Sequence, residues 1–340
     1  MQEKKMIQMK FNHVLLLIVM VTLLICYFTS YNKIYGRSSG MDLKQEEQDF
    51  EGKWLRGQNN HHTNVTKHIV MLTYNIWFGK FRMFQRMKGI GKIITDLKPN
   101  VITLNEVTAE NIFLLKSQDW FHKYKLVPPD LMRGDSYFVV LLTNFPTKSW
   151  KIRPFDNSRM GRTLSIVELG IPSGSFDIAL TIATSHFESM AFNTKQREWQ
   201  LKKSIEMLSL SNNVCLMGDL NLELEVDGEV VLPPPWYDAW LSLPGNSHDN
   251  GYTWDPSINS MNNDGSTKNR FDRVLCKLLD FTVHSMKVVG KKQLSPGVFP
   301  SDHFGLLTVL TLQGKSAGHA SLADTTKTKS VVFKRPPNWE

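Results

Sequence analysis

Acidic, amide and imidazole side chains recur where apolar stretches of this sequence end. Asn75 closes TYN, Glu106 follows ITLN, His186 closes TIATSH, and Asp219 and Asn221 follow VCLMG. Asp272 stands in RFDRVL, and Asp302 and His303 precede GLLTVL. Singly, each has an ordinary structural explanation: a turn aspartate, a capping asparagine, a satisfied or solvated histidine. Six such sites at six strand-like ends point instead to one convergent site, because strand ends hold side chains rigidly yet leave them accessible. Carboxylates and amides without cysteine are hard oxygen donors suited to Mg2+ or Mn2+. Their chemistry fits attack of water on a phosphodiester. A cation and protonated histidines neutralise the phosphate while a carboxylate takes a proton from the water. In this reading Glu106 is a metal ligand and Asp219 orients or deprotonates the water. His186 and His303 donate to non-bridging oxygens, and Asp272 holds His303 in its charged form.

The elements that must position these residues alternate between two periods. Residues 68–78, 101–104, 137–143, 163–169 and 177–185 read as strands, as do 213–217, 270–275, 281–289 and 305–311. Gly170, Pro172 and Gly174 mark the turn between the fourth and fifth. Residues 83–97 carry Phe84, Met87, Ile90, Ile94 and Leu97 at helical spacing. Residues 194–210 form a second helix, with Trp199, Ile205 and Leu208 turned inward. Many strands and few helices imply an α/β fold, a four-layer sandwich of two packed mixed sheets flanked by helices. No internal repeat of fixed period is present.

The chain has 340 residues, 41% of them hydrophobic, which suffices for a sizeable core and excludes wholesale disorder. A formal net charge of +8 suits nucleic acid or an acidic lipid surface, and equally suits ordinary solubility. Of three cysteines, Cys26 lies in an N-terminal apolar run, and Cys215 and Cys276 lie in strand-like stretches where a free thiol behaves as a small hydrophobe. Without a C-x-x-C or Cys/His cluster, a structural zinc site is not expected. The apolar run, residues 14–28, follows Lys4, Lys5 and Lys10 and has no small-x-small cleavage site after it. Residues 1–30 therefore read as an uncleaved, membrane-associated signal anchor or transmembrane segment with its N-terminus in the cytosol. Residues 31–66 read as a polar linker, with a glycosylation pattern at Asn64, Val65 and Thr66. Residues 67–313 form the catalytic domain, and 314–340 a disordered tail.

TYNIWF, NEV, SHFES, GDLNLE, RFDR and SDHFGLL stand in order along the body. Together they resemble the signature blocks of the endonuclease/exonuclease/phosphatase superfamily. MGRTL, LPPPWYDAW after Asp227 and Gly228, YTWD, NRFDRVLC and FPSDHFGLL resemble one branch of it, the tyrosyl-DNA phosphodiesterase 2 family, in particular its plant-type members. The resemblance implies a DNase I-like fold, Mg2+ or Mn2+ as cofactor, and hydrolysis of 5′-phosphotyrosyl-DNA in repair of topoisomerase II adducts. It implies that Asn75, Glu106 and Asp302 form the metal side, and that Asp219 and Asn221 position water and phosphate. Asp272 would pair with His303. Arg162, Trp254 and Phe271 would contact the single-stranded 5′ end bearing the tyrosyl adduct. A nuclear monomer follows if the apolar segment is not used. Two positions depart from the animal members, Trp77 for an acid and Glu223 for an arginine. Against this stand a membrane-anchored phosphodiesterase of the same superfamily acting on a lipid headgroup or nucleotide, and a binding module without catalysis.

Overall fold

The computed structural model describes residues 65–128, 137–262, 267–313 and 330–334. The apolar run at 14–28 and the linker up to residue 64 lie outside the described residues. No helix among the described residues is long and apolar enough to cross a membrane.

The chain opens with β1 (His68–Asn75), α1 (Met83–Leu97), β2 (Val101–Val107) and α2 (Ala109–Lys116). Strands β3 (Lys125–Val127), β4 (Phe138–Thr143), β5 (Thr147–Pro154), β6 (Thr163–Ser173) and β7 (Phe176–Ser185) follow. After α3 (Thr194–Met207) come β8 (Val214–Asp219), α4 (Leu224–Asp227), β9 (Glu229–Val231) and β10 (Tyr237–Asp238). The chain continues through β11 (Asp272–Lys277), β12 (Phe281–Val289), β13 (Gly305–Leu312) and β14 (Val332–Lys334). One six-stranded sheet has the order β12-β13-β1-β2-β4-β3, the other β10-β11-β8-β7-β6-β5. Both are mixed: β1 is parallel to β2 and antiparallel to β13, and β8 is parallel to β7 and antiparallel to β11.

Burial on both faces explains the near-continuous apolar runs of the central strands. Ile69 and Met71 of β1 meet Ile182, Cys215, Met217 and Val274 between the sheets. Leu72 and Tyr74 point the other way, onto Met83, Met87, Ile90 and Ile94 of α1. Leu164, Leu216 and Leu275 face Leu201 and Ile205 of α3 on the opposite outer surface. The result is the expected order of layers, helix, sheet, sheet, helix. Each fully buried aliphatic side chain contributes roughly 1.5–3 kcal/mol relative to exposure.

Several local expectations change. Phe84 is 59% exposed, because Met83 takes the inward place one residue earlier and Lys88 lies over the Phe84 ring. Trp199 is half-buried, edge-on to Phe155. The short α2 shows almost no amphipathic period and is fixed by a capping box between Thr108 and Asn111. Edge strand β5 is mostly exposed, so it carries little alternation to read. Within the stretch expected to be a disordered tail, β14 pairs antiparallel with β9 and Val331 is buried against the α3 side of the second sheet.

Candidate active site

The topology gathers the expected residues at one end of the sandwich. Asn75, Glu106, His186, Asp219 and Asn221 stand at or just beyond the C-terminal ends of β1, β2, β7 and β8. Asp272 begins β11, and Asp302 and His303 precede β13; both strands run antiparallel to their neighbours, so their beginnings reach the same end.

Two strand ends, one from each sheet, are built alike. The Trp77 N–H donates to Asn75 Oδ1 (3.0 Å), and the Asn221 N–H donates to Asp219 Oδ1 (3.0 Å). In each case the residue two positions on is left-handed, Trp77 at φ 57° and Asn221 at φ 48°. Glu106 is also left-handed, at φ 58°, and its Oε2 accepts from the Phe78 N–H at 3.1 Å. Such backbone costs on the order of 1–3 kcal/mol per residue and persists where surrounding bonds over-determine it. Gly218, at φ 138°, lies so close to the Ser185 carbonyl that a Cβ would collide with it. The glycine of the GD-x-N block thus seats Asp219 beside His186.

The two ends are joined directly. Asn75 Nδ2 donates to Asp219 Oδ2 (2.9 Å) and lies 3.2 Å from Glu106 Oε1. Asn75 therefore turns its donor face to both carboxylates while its oxygen is held by the Trp77 N–H. It meets the metal side by positioning Glu106. Asn105, which the pattern of strand ends did not single out, donates to the Ser185 carbonyl (2.9 Å) and accepts from the Asp219 N–H (3.2 Å). Its only sequence signal is that it precedes Glu106.

The two histidines differ in charge. His303 Nδ1 is 2.8 Å from Asp272 Oδ2, and its Nε2 is 3.8 Å from Asp219 Oδ2. Burial pulls its pKa down, but Asp272 and Asp219 outweigh that and hold it up at about 10, so this imidazole is charged as expected. His186 is not. Burial pushes its pKa down to about 3, with Asp219 opposing and Arg162 reinforcing the shift. Arg162 Nη1 lies 2.9 Å from His186 Nδ1, and a guanidinium can only donate, so the His186 proton is on Nε2. That Nε2–H stands 3.4 Å from Asp219 Oδ2. His186 thus donates as a neutral imidazole. Arg162, expected to contact the 5′ end, is 4% exposed, bonded to His186 and Ser189 and set over the Tyr137 ring, and does not wall the cleft in front of His186.

In front of these groups lies a cleft of about 330 Å3, walled by Trp77, Phe78, Glu106, Asp302, His303 and Asp219. Trp254 and Phe271 flank it, with the Trp254 ring edge-on to His303 at 5.0 Å. Glu223, Asn221 and Met190 line it as well. Trp77 is oriented by Arg86, a buried guanidinium beneath its ring (4.6 Å) that also donates to the carbonyls of Ile76, Phe81 and Gly79. Burial raises the Glu223 pKa, and Asn269 offsets part of that through a hydrogen bond.

Two carboxyl groups of the wall are strained as anions. Burial, reinforced by the charge of Asp302, pushes Glu106 up to about 7, and burial raises Asp302 as well. A divalent cation held by these carboxylates would relieve this, so the residues present fit a hard divalent cation. Asp219, Asp272 and His303 also offer ligand atoms within 4.8 Å of one another. With His303 charged and bonded to Asp272, that group is an ion-paired triad, leaving Glu106 and Asp302 as the better-suited ligands.

The model of the Endonuclease/Exonuclease/phosphatase family matches residues 72–303, which span every residue just described. Human tyrosyl-DNA phosphodiesterase 2 is 30% identical over 258 residues, covering 71% of this chain and 68% of the human protein. The chain belongs to the tyrosyl-DNA phosphodiesterase 2 branch of this family. The bovine member is 32% identical over 243 residues, covering 67% of this chain and 63% of its own length, so the match leaves more than a third of that relative uncovered. The same branch supplies similar folds. The crystal structure of D. rerio TDP2 complexed with single strand DNA product has a TM-score of 0.64 at 23% identity, covering 72% of this chain and 100% of that one. Truncated Caenorhabditis elegans TDP2 has a TM-score of 0.63 at 25% identity, covering 72% and 97%. These likenesses agree with the two packed sheets of the DNase I-like fold.

Proposed function

We propose that this chain is a phosphodiesterase, dependent on Mg2+ or Mn2+, that hydrolyses the 5′-phosphotyrosyl bond at single-stranded DNA ends and leaves a 5′-phosphate. The observation that carries the reading is the junction of Asn75, Asp219, His186 and His303 beside Glu106 and Asp302. Membership in the tyrosyl-DNA phosphodiesterase 2 branch and a relative holding a single-strand DNA product support the substrate.

Glu106 and Asp302 would hold the cation, which when bound neutralises the phosphate and polarises it toward attack. Asp219, fixed by Asn75 and Asn221, orients the water and accepts its proton. His186 Nε2–H and the charged His303 donate to the phosphate oxygens as negative charge develops there. Trp254 and Phe271 offer ring faces to bases near the 5′ end, worth about 1–3 kcal/mol per stacked base whatever the sequence. In a cell this reaction clears trapped topoisomerase II peptides, a nuclear role.

The full chain, incubated with Mg2+ or Mn2+ and a 5′-tyrosyl oligonucleotide, is expected to release tyrosine. Turnover no greater than that of Asp219→Ala would sink the reading.

A second reading keeps the chemistry and changes the substrate, to a lipid headgroup or a nucleotide met at a membrane. The uninterrupted apolar run at residues 14–28 favours it. Carbonate-resistant sedimentation with membranes, glycosidase-sensitive mobility and turnover of a phospholipid or a generic bis-aryl diester with an inert tyrosyl oligonucleotide would establish it. Release of the chain into the soluble nuclear fraction would exclude it.

A further inference from the structure

The strand pair that carries Asp219 and Asp272 also carries two cysteines. β8 and β11 run antiparallel in a register that sets Asp219 opposite Asp272 and Cys215 opposite Cys276. Just beyond the strands, the Leu220 N–H donates to the Phe271 carbonyl at 2.9 Å, which makes 220 and 271 a hydrogen-bonded pair of the same ladder. Antiparallel ladders alternate between hydrogen-bonded and non-hydrogen-bonded pairs. Counting along the register, 219/272, 217/274 and 215/276 are all non-hydrogen-bonded. At such positions the Cα atoms are about 4.5 Å apart and the side chains lean together. That lies within the roughly 4.4–6.8 Å spanned by disulfides. The Sγ atoms of Cys215 and Cys276 are 3.4 Å apart, so bond formation needs only a small closing movement of two side chains.

We propose that Cys215 and Cys276 form a cross-strand disulfide when the chain folds in the presence of a low-molecular-weight disulfide such as oxidised glutathione. One cysteine thiolate attacks a sulfur of the donor, forming a mixed disulfide and releasing one donor thiolate. The thiolate of the other cysteine then displaces the second donor half. Two cysteine thiols are oxidised, one donor disulfide is reduced, and the two cysteine protons end on the two released thiols. The exchange belongs to folding. In the folded chain both thiols are buried between the sheets and burial holds the Cys276 thiol far from ionisation, which removes the nucleophile. Once closed, the bond is equally sealed from reductants. It links two strands 61 residues apart in sequence and lies on the same ladder face as the Asp219–Asp272 pair, four residues away.

The full chain, synthesised cell-free with and without oxidised glutathione, supplies the test. Free thiols are alkylated after denaturation and counted by intact mass, and a non-reduced digest is searched for the linked peptides. The expected result is one alkylated cysteine, Cys26, with the Cys215–Cys276 peptide present only in the oxidised preparation, and a higher unfolding temperature there. A Cys26→Ser chain should show no alkylation at all after oxidative folding. Folded chain from the oxidised preparation with every thiol alkylatable would overturn the proposal. So would a disulfide that joins Cys26 to either body cysteine in place of the cross-strand pair.

Discussion

Asn75 Nδ2 donates to Asp219 Oδ2 at 2.9 Å, and this single hydrogen bond joins the end of β1 in one sheet to the end of β8 in the other. It sets the carboxylate that faces both histidines, and through the same amide group it also reaches Glu106. Replacing Asn75 with Ala deprives Asp219 Oδ2 of the nearest of its buried donors, a loss of about 1–3 kcal/mol of stability. It also frees two carboxylates to move. Turnover should fall by about 100-fold or more, the range for a misplaced base. Chemical denaturation and steady-state kinetics on the same preparation check both numbers.

Glu106 gives the metal-free chain a pH-dependent weakness. Its folded pKa, about 7, lies above the ordinary value of 4.5, so the folded state binds the extra proton between them. Stability from this group is therefore full below about pH 4.5 and lost as pH rises through 7. With chelator present, Glu106→Gln should unfold at a higher temperature than the parent at pH 8 and at a similar one at pH 5. Added Mg2+ should stabilise the parent at pH 8 and leave the variant nearly unmoved. Thermal scans at the two pH values decide it.

His303 behaves in the same direction from a different cause. Asp272 and Asp219 raise its folded pKa to about 10 from an ordinary 6.5, so its contribution is complete below 6.5 and disappears as pH approaches 10. Asp272→Asn removes the 2.8 Å partner. The alkaline limb of the activity profile should then move from about 10 toward neutrality, with turnover at pH 7 reduced by about 100-fold or more.

Arg162 fixes which nitrogen of His186 carries the proton. Arg162→Met should lower kcat on the order of 100-fold while leaving KM for an oligonucleotide nearly unchanged, because the residue stands behind the imidazole and off the cleft wall. A rise in KM with kcat preserved would make Arg162 a substrate contact instead.

Glu223 places a carboxylate on the wall that a polyanion must pass. Glu223→Arg should tighten single-stranded DNA binding and steepen the slope of log K against log salt by about 1. Fluorescence anisotropy over a salt series measures it.

The site was legible because strand ends announce themselves. Asn75, Glu106, His186, Asp219 and His303 each follow or precede an apolar run, and the antiparallel entry of β11 and β13 brings Asp272 and Asp302 to the same end. The layer order was legible for a related reason, since both faces of β1 and β8 are buried. What escaped depends on tertiary partners. The charge of His186 is decided by its burial and its tautomer by Arg162 from 24 residues away, and Asn105 acquires its role only when β7 and β8 close over it. Phe84 has the right spacing for the α1 core face, yet Met83 occupies the inward place. The weak patterns of α2 and β5 reflect a capping box and an exposed edge, neither of which imposes a hydrophobic period.

The reaction proposed for the Asp219 site is attack of water on phosphorus with tyrosine as the leaving group, and the placement of an oxygen isotope reads it out. A 5′-tyrosyl oligonucleotide is turned over by the full chain in heavy-oxygen water with Mg2+, and both products are weighed by mass spectrometry. One heavy oxygen in the 5′-phosphate and unlabelled tyrosine is the result expected from the Asp219 site, with neither product formed by Asp219→Ala. Label in the tyrosine, or equal release by that variant, would contradict it.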